Sequence, residues 1–238
     1  MYMKYILMFL IRKLLFQPMH YAFEKAVDLT HELTNGMPIY PGDPAPSFER
    51  TATIEKNGVN LTRLVLGSHT GTHTDAPIHF VSGAMPLDKI PVQSFIGEAL
   101  VVDLSKKPLG SGIVSDDLKS VDSQIRSDDI VLLYTGCSKY WGDPKMNSNY
   151  TFCTGEVADY FVSKKVRAVG IDFLSIEKFK AEEPIVHKTL LKNGIYIIES
   201  LSKDLGEFCG RRILLISLPI KLENGDGAPS RSIAVPIE

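Results

Sequence analysis

The chain has 238 residues, 44% of them hydrophobic, with 26 Lys and Arg against 28 Asp and Glu and a formal net charge of −2. That length and apolar content suit one large domain or two small ones with a substantial core, and the near-neutral balance lacks the basic footprint of a nucleic-acid-binding protein. Cys137, Cys153 and Cys209 are scattered and odd in number, so no disulfide framework is expected; small, mostly buried thiols in a reducing, cytoplasmic setting are.

Residues 1–18 read as an N-terminal extension. Their apolar run at 5–11 is interrupted by Arg12 and Lys13, is too short to span a membrane, and lacks a clear cleavage site. A dispensable tail or short helix is expected, with a membrane-surface helix or a secretory leader as the alternative, and one domain over 19–238. No repeat, low-complexity stretch or linker follows. Apolar runs rich in β-branched residues predict strands at 26–29, 61–66, 99–104, 130–134, 168–171, 195–198 and 213–220. Helices are predicted at 154–163, with Thr154 as its cap and Glu156 in the first turn, and at 182–191, with Pro184 in the first turn and Gly194 beyond its end. Several strands are continuously apolar rather than alternating, which predicts an α/β fold with a mixed sheet covered by helices.

Between the second and third predicted strands lies His69-Thr-Gly-Thr-His73-Thr-Asp75-Ala-Pro-Ile-His79, which holds three of the six histidines. Imidazole and carboxylate side chains are ligands of zinc and similar cations. Residues 69, 71, 73 and 75 share one side of an extended chain. A helix is excluded by three β-branched threonines, Gly71 and Pro77. A straight strand would hold the Cα atoms of His69 and His73 about 13 Å apart, too far for one ion, so the chain must bend, and Gly71 permits it. The expectation is a strand ending near Leu66 or Gly67, then a bent loop around a metal held by His69, His73 and Asp75. His79 is either a further ligand or an uncoordinated acid/base.

Further candidates stand on their own residue type alone. His187 falls in the second predicted helix. Glu199 and Asp172 each end an apolar strand, where either a solvated terminus or a site residue is found. Trp141 is either a pocket wall or a packed loop residue. His20 and His31 lack suitable neighbours and read as structural or surface groups.

The histidine-rich run resembles the signature of the cyclase-like metal hydrolases, a group that includes bacterial kynurenine formamidases and isatin hydrolases. The resemblance extends to Asp28-Leu-Thr30 with Met37-Pro-Ile-Tyr-Pro-Gly-Asp43, to Gly170–Glu177 with His187 and Gly194–Glu199, and to a C-terminal loop at 225–231. It implies the β/β/α swivelling architecture of that group, a homodimer or larger assembly, and a small-molecule amide substrate, with no nucleic acid and no stable membrane span. It implies two divalent ions, zinc in preference to manganese, on His69, His73, Asp75, His187 and Glu199, with Asp75 bridging and His79 as acid/base. The activity implied is arylformamidase, hydrolysis of N-formylkynurenine by metal-activated water. A related hydrolase of another linear or cyclic amide is the alternative, and a non-catalytic metal-binding module the third. Kynurenine formamidases typically carry Trp before Pro-Gly-Asp; here Tyr40 takes that place and can still stack on an aromatic substrate.

Overall fold

The computed structural model describes residues 21–237; the extension expected at 1–18 and His20 lie outside them. The strands are β1 (Val27–Asp28), β2 (Ser47–Ala52), β3 (Leu61–Val65), β4 (His73–Asp75), β5 (Ile96–Asp103), β6 (Gly112–Ile113), β7 (Ile130–Tyr134), β8 (Phe152–Cys153), β9 (Ala168–Ile171), β10 (Tyr196–Glu199), β11 (Arg212–Pro219) and β12 (Gly227–Pro236). The helices are α1 (Ile54–Asn57), α2 (Gly155–Lys164) and α3 (Ile185–Lys192), with short 3₁₀ turns between several strands.

Eight strands form one mixed sheet in the order β1-β12-β11-β5-β7-β9-β10-β4. The start of β12 also pairs with β4, so the seven strands from β12 round to β4 close into a barrel. β5, β7, β9 and β10 run parallel, and β11, β12 and β4 close the ring antiparallel. The expected α/β mixed sheet is therefore what forms.

Continuous apolar runs make the parallel strands because both of their faces are covered. Ala99, Val101, Ile130, Leu132, Ala168, Ile198, Ile213, Leu215 and Ala234 pack together from six barrel strands. On the other face Val131, Leu133, Val169, Ile171 and Ile197 pack against Val157 and Phe161 of α2 and Val186 and Leu190 of α3. Both helices follow their apolar stripes. Thr154 occupies the N-cap of α2, but its hydroxyl donates to the Ile113 carbonyl at 2.8 Å instead of capping. Pro184 is the residue before α3 rather than within its first turn, and Gly194, at φ +72°, follows the helix end.

Two further expectations are corrected. The segment 73–75 is itself a barrel strand, so the bent loop is confined to 66–72, where Gly71 sits at φ +65°. The segment 225–231 is not all loop, since β12 begins at Gly227. Backbone pairing to β10 on one side and β12 on the other draws 73–75 into the sheet.

Candidate metal centre

In register, His73 lies opposite Glu199 and Asp75 opposite Ile197. Directly opposed residues share a face, so His73, Asp75 and Glu199 point to the side where Ile197 meets α3. Thr74 points the other way, where its hydroxyl bonds that of Ser230 at 2.9 Å. α3 brings His187 over the same spot. His79 enters from the 3₁₀ turn Pro77–His79 that ends the cluster.

The result, among the described residues, is three groups of three ligand-type side chains: His69, His79 and Asp226 form one at the rim, and two more share Asp75. His69, His73 and Asp75 form one of these two, and Asp75, His187 and Glu199 the other, with the ligand atoms of each group all within 4.8 Å of one another. Asp75 Oδ1 is 2.9 Å from His69 Nδ1 and 3.2 Å from His73 Nε2. Its other oxygen is 3.6 Å from His187 Nε2, which lies 3.3 Å from Glu199 Oε1. The five sequence candidates therefore meet in one place, although 130 residues separate His69 from Glu199.

The surroundings set which nitrogens face inward. His73 Nδ1 donates to the Gly71 carbonyl at 2.8 Å, turning Nε2 toward the site. His187 Nδ1 lies 3.3 Å from Glu177 Oε2, and the same oxygen accepts the Val186 and His187 backbone N–H groups that open α3. Glu199 accepts from the Ile176 N–H at 2.6 Å.

Whether these residues suit a cation is tested by what is left unbonded. His73 Nε2 and Asp75 Oδ2 are buried and have no aligned hydrogen-bond partner. Leaving such atoms dry costs free energy. Three buried carboxylates, Asp75, Glu177 and Glu199, gather here, yet the one Lys or Arg lining the cavity among the described residues, Lys178, is exposed. The histidines take up the imbalance. Burial opposes the charging of His69, but Asp75 and Asp226 override it and raise its pKa to about 9. Burial is likewise overridden at His187 by Glu177, Glu199 and Asp75, which raise it to about 10. Burial resists the charge of Asp75 too, yet His69 and His73 hold it well below the carboxylate range. A donor set of imidazoles and carboxylates around orphaned inward atoms fits zinc or a similar divalent ion.

A cavity of about 320 Å³ opens onto this cluster. Tyr40, Phe80, Leu174 and Pro184 wall it, with His79 and Asp43 beside the histidines. The Tyr40 hydroxyl accepts from the Lys180 N–H at 3.0 Å, and its ring meets Phe179 at 5.9 Å. His79 stacks on His69 with centroids 3.9 Å apart. Burial and the positive neighbours His69 and His187 lower its pKa against the pull of Asp75.

Other sequence candidates fall elsewhere. Asp172 is buried but accepts from Thr135, Gly136 and Ser138, anchoring the loop after β7. Trp141 is no wall of the cavity; it stacks on His31 at 3.8 Å and meets Phe173 edge-on. Burial raises all three thiols, the opposite of an activated thiolate. Sequence reasoning missed Glu177 and Asp226. Asp226 Oδ2 lies 3.0 Å from His69 Nε2 and 3.6 Å from His79 Nδ1.

The family model of the Cyclase family, described as "Putative cyclase", matches residues 27–178. A kynurenine formamidase of Bacillus cytotoxicus is 29% identical over 89% of this chain and 97% of its own length. A solved structure described as a potential metal-dependent hydrolase with cyclase activity is 33% identical, covers 90% of this chain and 98% of its own, and superposes with a TM-score of 0.75. An isatin hydrolase bound to the product analogue thioisatinate shares the fold, with a TM-score of 0.82 at 24% identity over 99% of both chains.

Proposed function

The chain belongs to the Cyclase family, and we propose that it is a metal-dependent amide hydrolase, an arylformamidase that cleaves N-formylkynurenine to kynurenine and formate. The observation that carries this reading is the pair of ligand groups sharing Asp75 at the floor of the cavity, with His79 beside them. The curated relative in Bacillus cytotoxicus, matched over nearly its whole length, is a kynurenine formamidase. His69, His73 and Asp75 would hold one divalent ion, and Asp75, His187 and Glu199 a second. The donor set suits zinc ahead of manganese. Such ions supply a Lewis acid for the amide carbonyl and lower the pKa of a bound water from 15.7 to about 7.

The chain's own groups do the rest. His79, whose pKa is lowered chiefly by burial, takes a proton from the attacking water. It returns that proton to the departing arylamine nitrogen, which cannot leave as an amide anion. Tyr40, Phe80 and Leu174 offer flat and apolar surface to an aryl ring. Exposed Ile54, Val59, Leu61, Leu64 and Val65, on and beside the β2–β3 hairpin, favour a homodimer or larger assembly, which sedimentation would measure.

The test is reconstitution of the purified chain with zinc or manganese, followed by metal analysis and an assay on N-formylkynurenine. Bound metal with formate release is expected. Bound metal with no release of formate sinks the arylformamidase reading, and hydrolysis of a cyclic amide such as isatin in its place redirects it.

A further inference from the structure

Asp226 and Gly227 stand where the chain enters β12, far in sequence from the histidine cluster. Their backbone is fixed to the cluster from outside. The Asp226 carbonyl accepts from the Ala76 N–H at 2.8 Å, and Gly227 lies in register with Asp75. The His69 ring packs directly on Gly227. A Cβ there would come within 2.8 Å of His69 Cε1 and 2.9 Å of the Thr74 carbonyl oxygen, so no other residue leaves room for the imidazole in this place. The next side chain back, Asp226, meets the far edge of the same ring. Its Oδ2 receives the Ser68 hydroxyl at 3.2 Å and His69 Nε2 at 3.0 Å, and it lies 3.6 Å from His79 Nδ1.

His69 thus lies between two carboxylates, Nδ1 2.9 Å from Asp75 and Nε2 3.0 Å from Asp226; a divalent ion on the Nδ1 side would leave Nε2–H donating to Asp226. The two rings that Asp226 reaches are themselves stacked. We infer that Asp226, seated by Gly227, is a positioning residue that fixes the His69 ring as a ligand and holds His79 against it as the acid/base. The inference deepens the metal-hydrolase reading and rests on it. Carboxylates behind metal-bound histidines set ring orientation and ligand basicity, and their loss typically costs about 10–100-fold in metal affinity or activity.

The experiment uses the full chain with Asp226→Ala, Asp226→Asn and Gly227→Ala, each checked for folding by its thermal transition. Zinc and manganese affinities are read by equilibrium dialysis, and kcat and KM on N-formylkynurenine at saturating metal. Asp226→Ala should bind metal roughly 10–100-fold more weakly. With the sites refilled, its kcat should fall at least tenfold while KM stays within twofold. Asp226→Asn keeps an acceptor for His69 Nε2–H and should recover much of the affinity. Gly227→Ala should weaken metal binding as Asp226→Ala does; if it fails to fold, the Asp226 variants decide.

Affinity and kcat within twofold of wild type in Asp226→Ala overturn the inference. So does a whole equivalent of metal missing at saturation, which would make Asp226 a ligand. A wild-type chain that binds metal but leaves N-formylkynurenine intact fails the substrate assignment only, and the dialysis still decides the place of Asp226 behind His69. A wild-type chain that binds no divalent ion overturns both readings.

Discussion

β7 and β4 are both buried along their whole length in the same barrel, and they are opposites in chemistry. β7 is Ile130-Val-Leu-Leu-Tyr134, and it meets apolar side chains on each face. β4 is His73-Thr-Asp75, without one apolar residue. Burial of β7 is a source of stability at about 25 cal/mol per Å² of apolar surface. Burial of β4 is a cost unless every polar atom finds a partner. Thr74 finds one in Ser230, whereas His73 Nε2 and Asp75 Oδ2 do not. The same fold thus contains a strand that holds it together and a strand on which it leaves buried polar atoms unpaired.

The contrast can be broken most sharply at Asp75. Asp75→Ala should abolish turnover and lose metal from both groups, as read by elemental analysis; full retention of metal would remove its shared role. His79→Ala should lower kcat by about 10²–10⁴-fold, the usual weight of a general acid/base, with metal content unchanged. Metal lost in that variant would make His79 a ligand. Leu132→Ala, on β7, should leave the active fraction's kcat and metal content alone but lower stability by about 2–5 kcal/mol in urea unfolding.

Smaller substitutions sharpen the comparison. Thr74→Val leaves the Ser230 hydroxyl with its remaining 3.4 Å bond to the Ala228 carbonyl and should cost about 1–2 kcal/mol, in the range of one buried hydrogen bond. That would mark the interior face of β4 as structural even while its other face carries the candidate ligands. Tyr40→Phe removes only the bond to the Lys180 N–H and keeps the ring. It should change KM less than threefold, or about 0.6 kcal/mol, near the lower bound for one hydrogen bond; a larger rise would show the hydroxyl itself binding substrate.

The strands legible from sequence were those that hide apolar side chains on both faces. The predicted runs at 130–134 and 168–171 coincide with β7 and β9, and those at 195–198 and 213–220 fall within a residue of β10 and β11. β4 gave no such signal, because its three side chains are polar and its reason for being a strand lies in β10 and β12. β12 was hidden by Pro229, Pro236 and its serines, which read as turn residues. His69, His73 and Asp75 were legible as ligand candidates from residue type and spacing, whereas His187 and Glu199, singled out by residue type alone, were assigned as ligands only through the family resemblance. Glu177 and Asp226 were not legible, since carboxylates behind a ligand need no spacing from it. The glycines on both sides of Asp226 were the available clue, and Gly227 turns out to make room for His69.

The closure of the barrel has a consequence for synthesis. Every backbone partner of β4 comes from β10 or β12, more than 120 positions later in the chain. A nascent polypeptide that has emerged past residue 80 therefore exposes His69, His73 and His79 with no strand to lay them against. Contacts this distant form late, because a long loop must close first. Until β10 and β12 have been made, the segment lacks the two strands that hold its side chains together. The geometry of the candidate site thus belongs to the finished barrel rather than to the motif, because β4 is set in place only by strands made near the end of the chain.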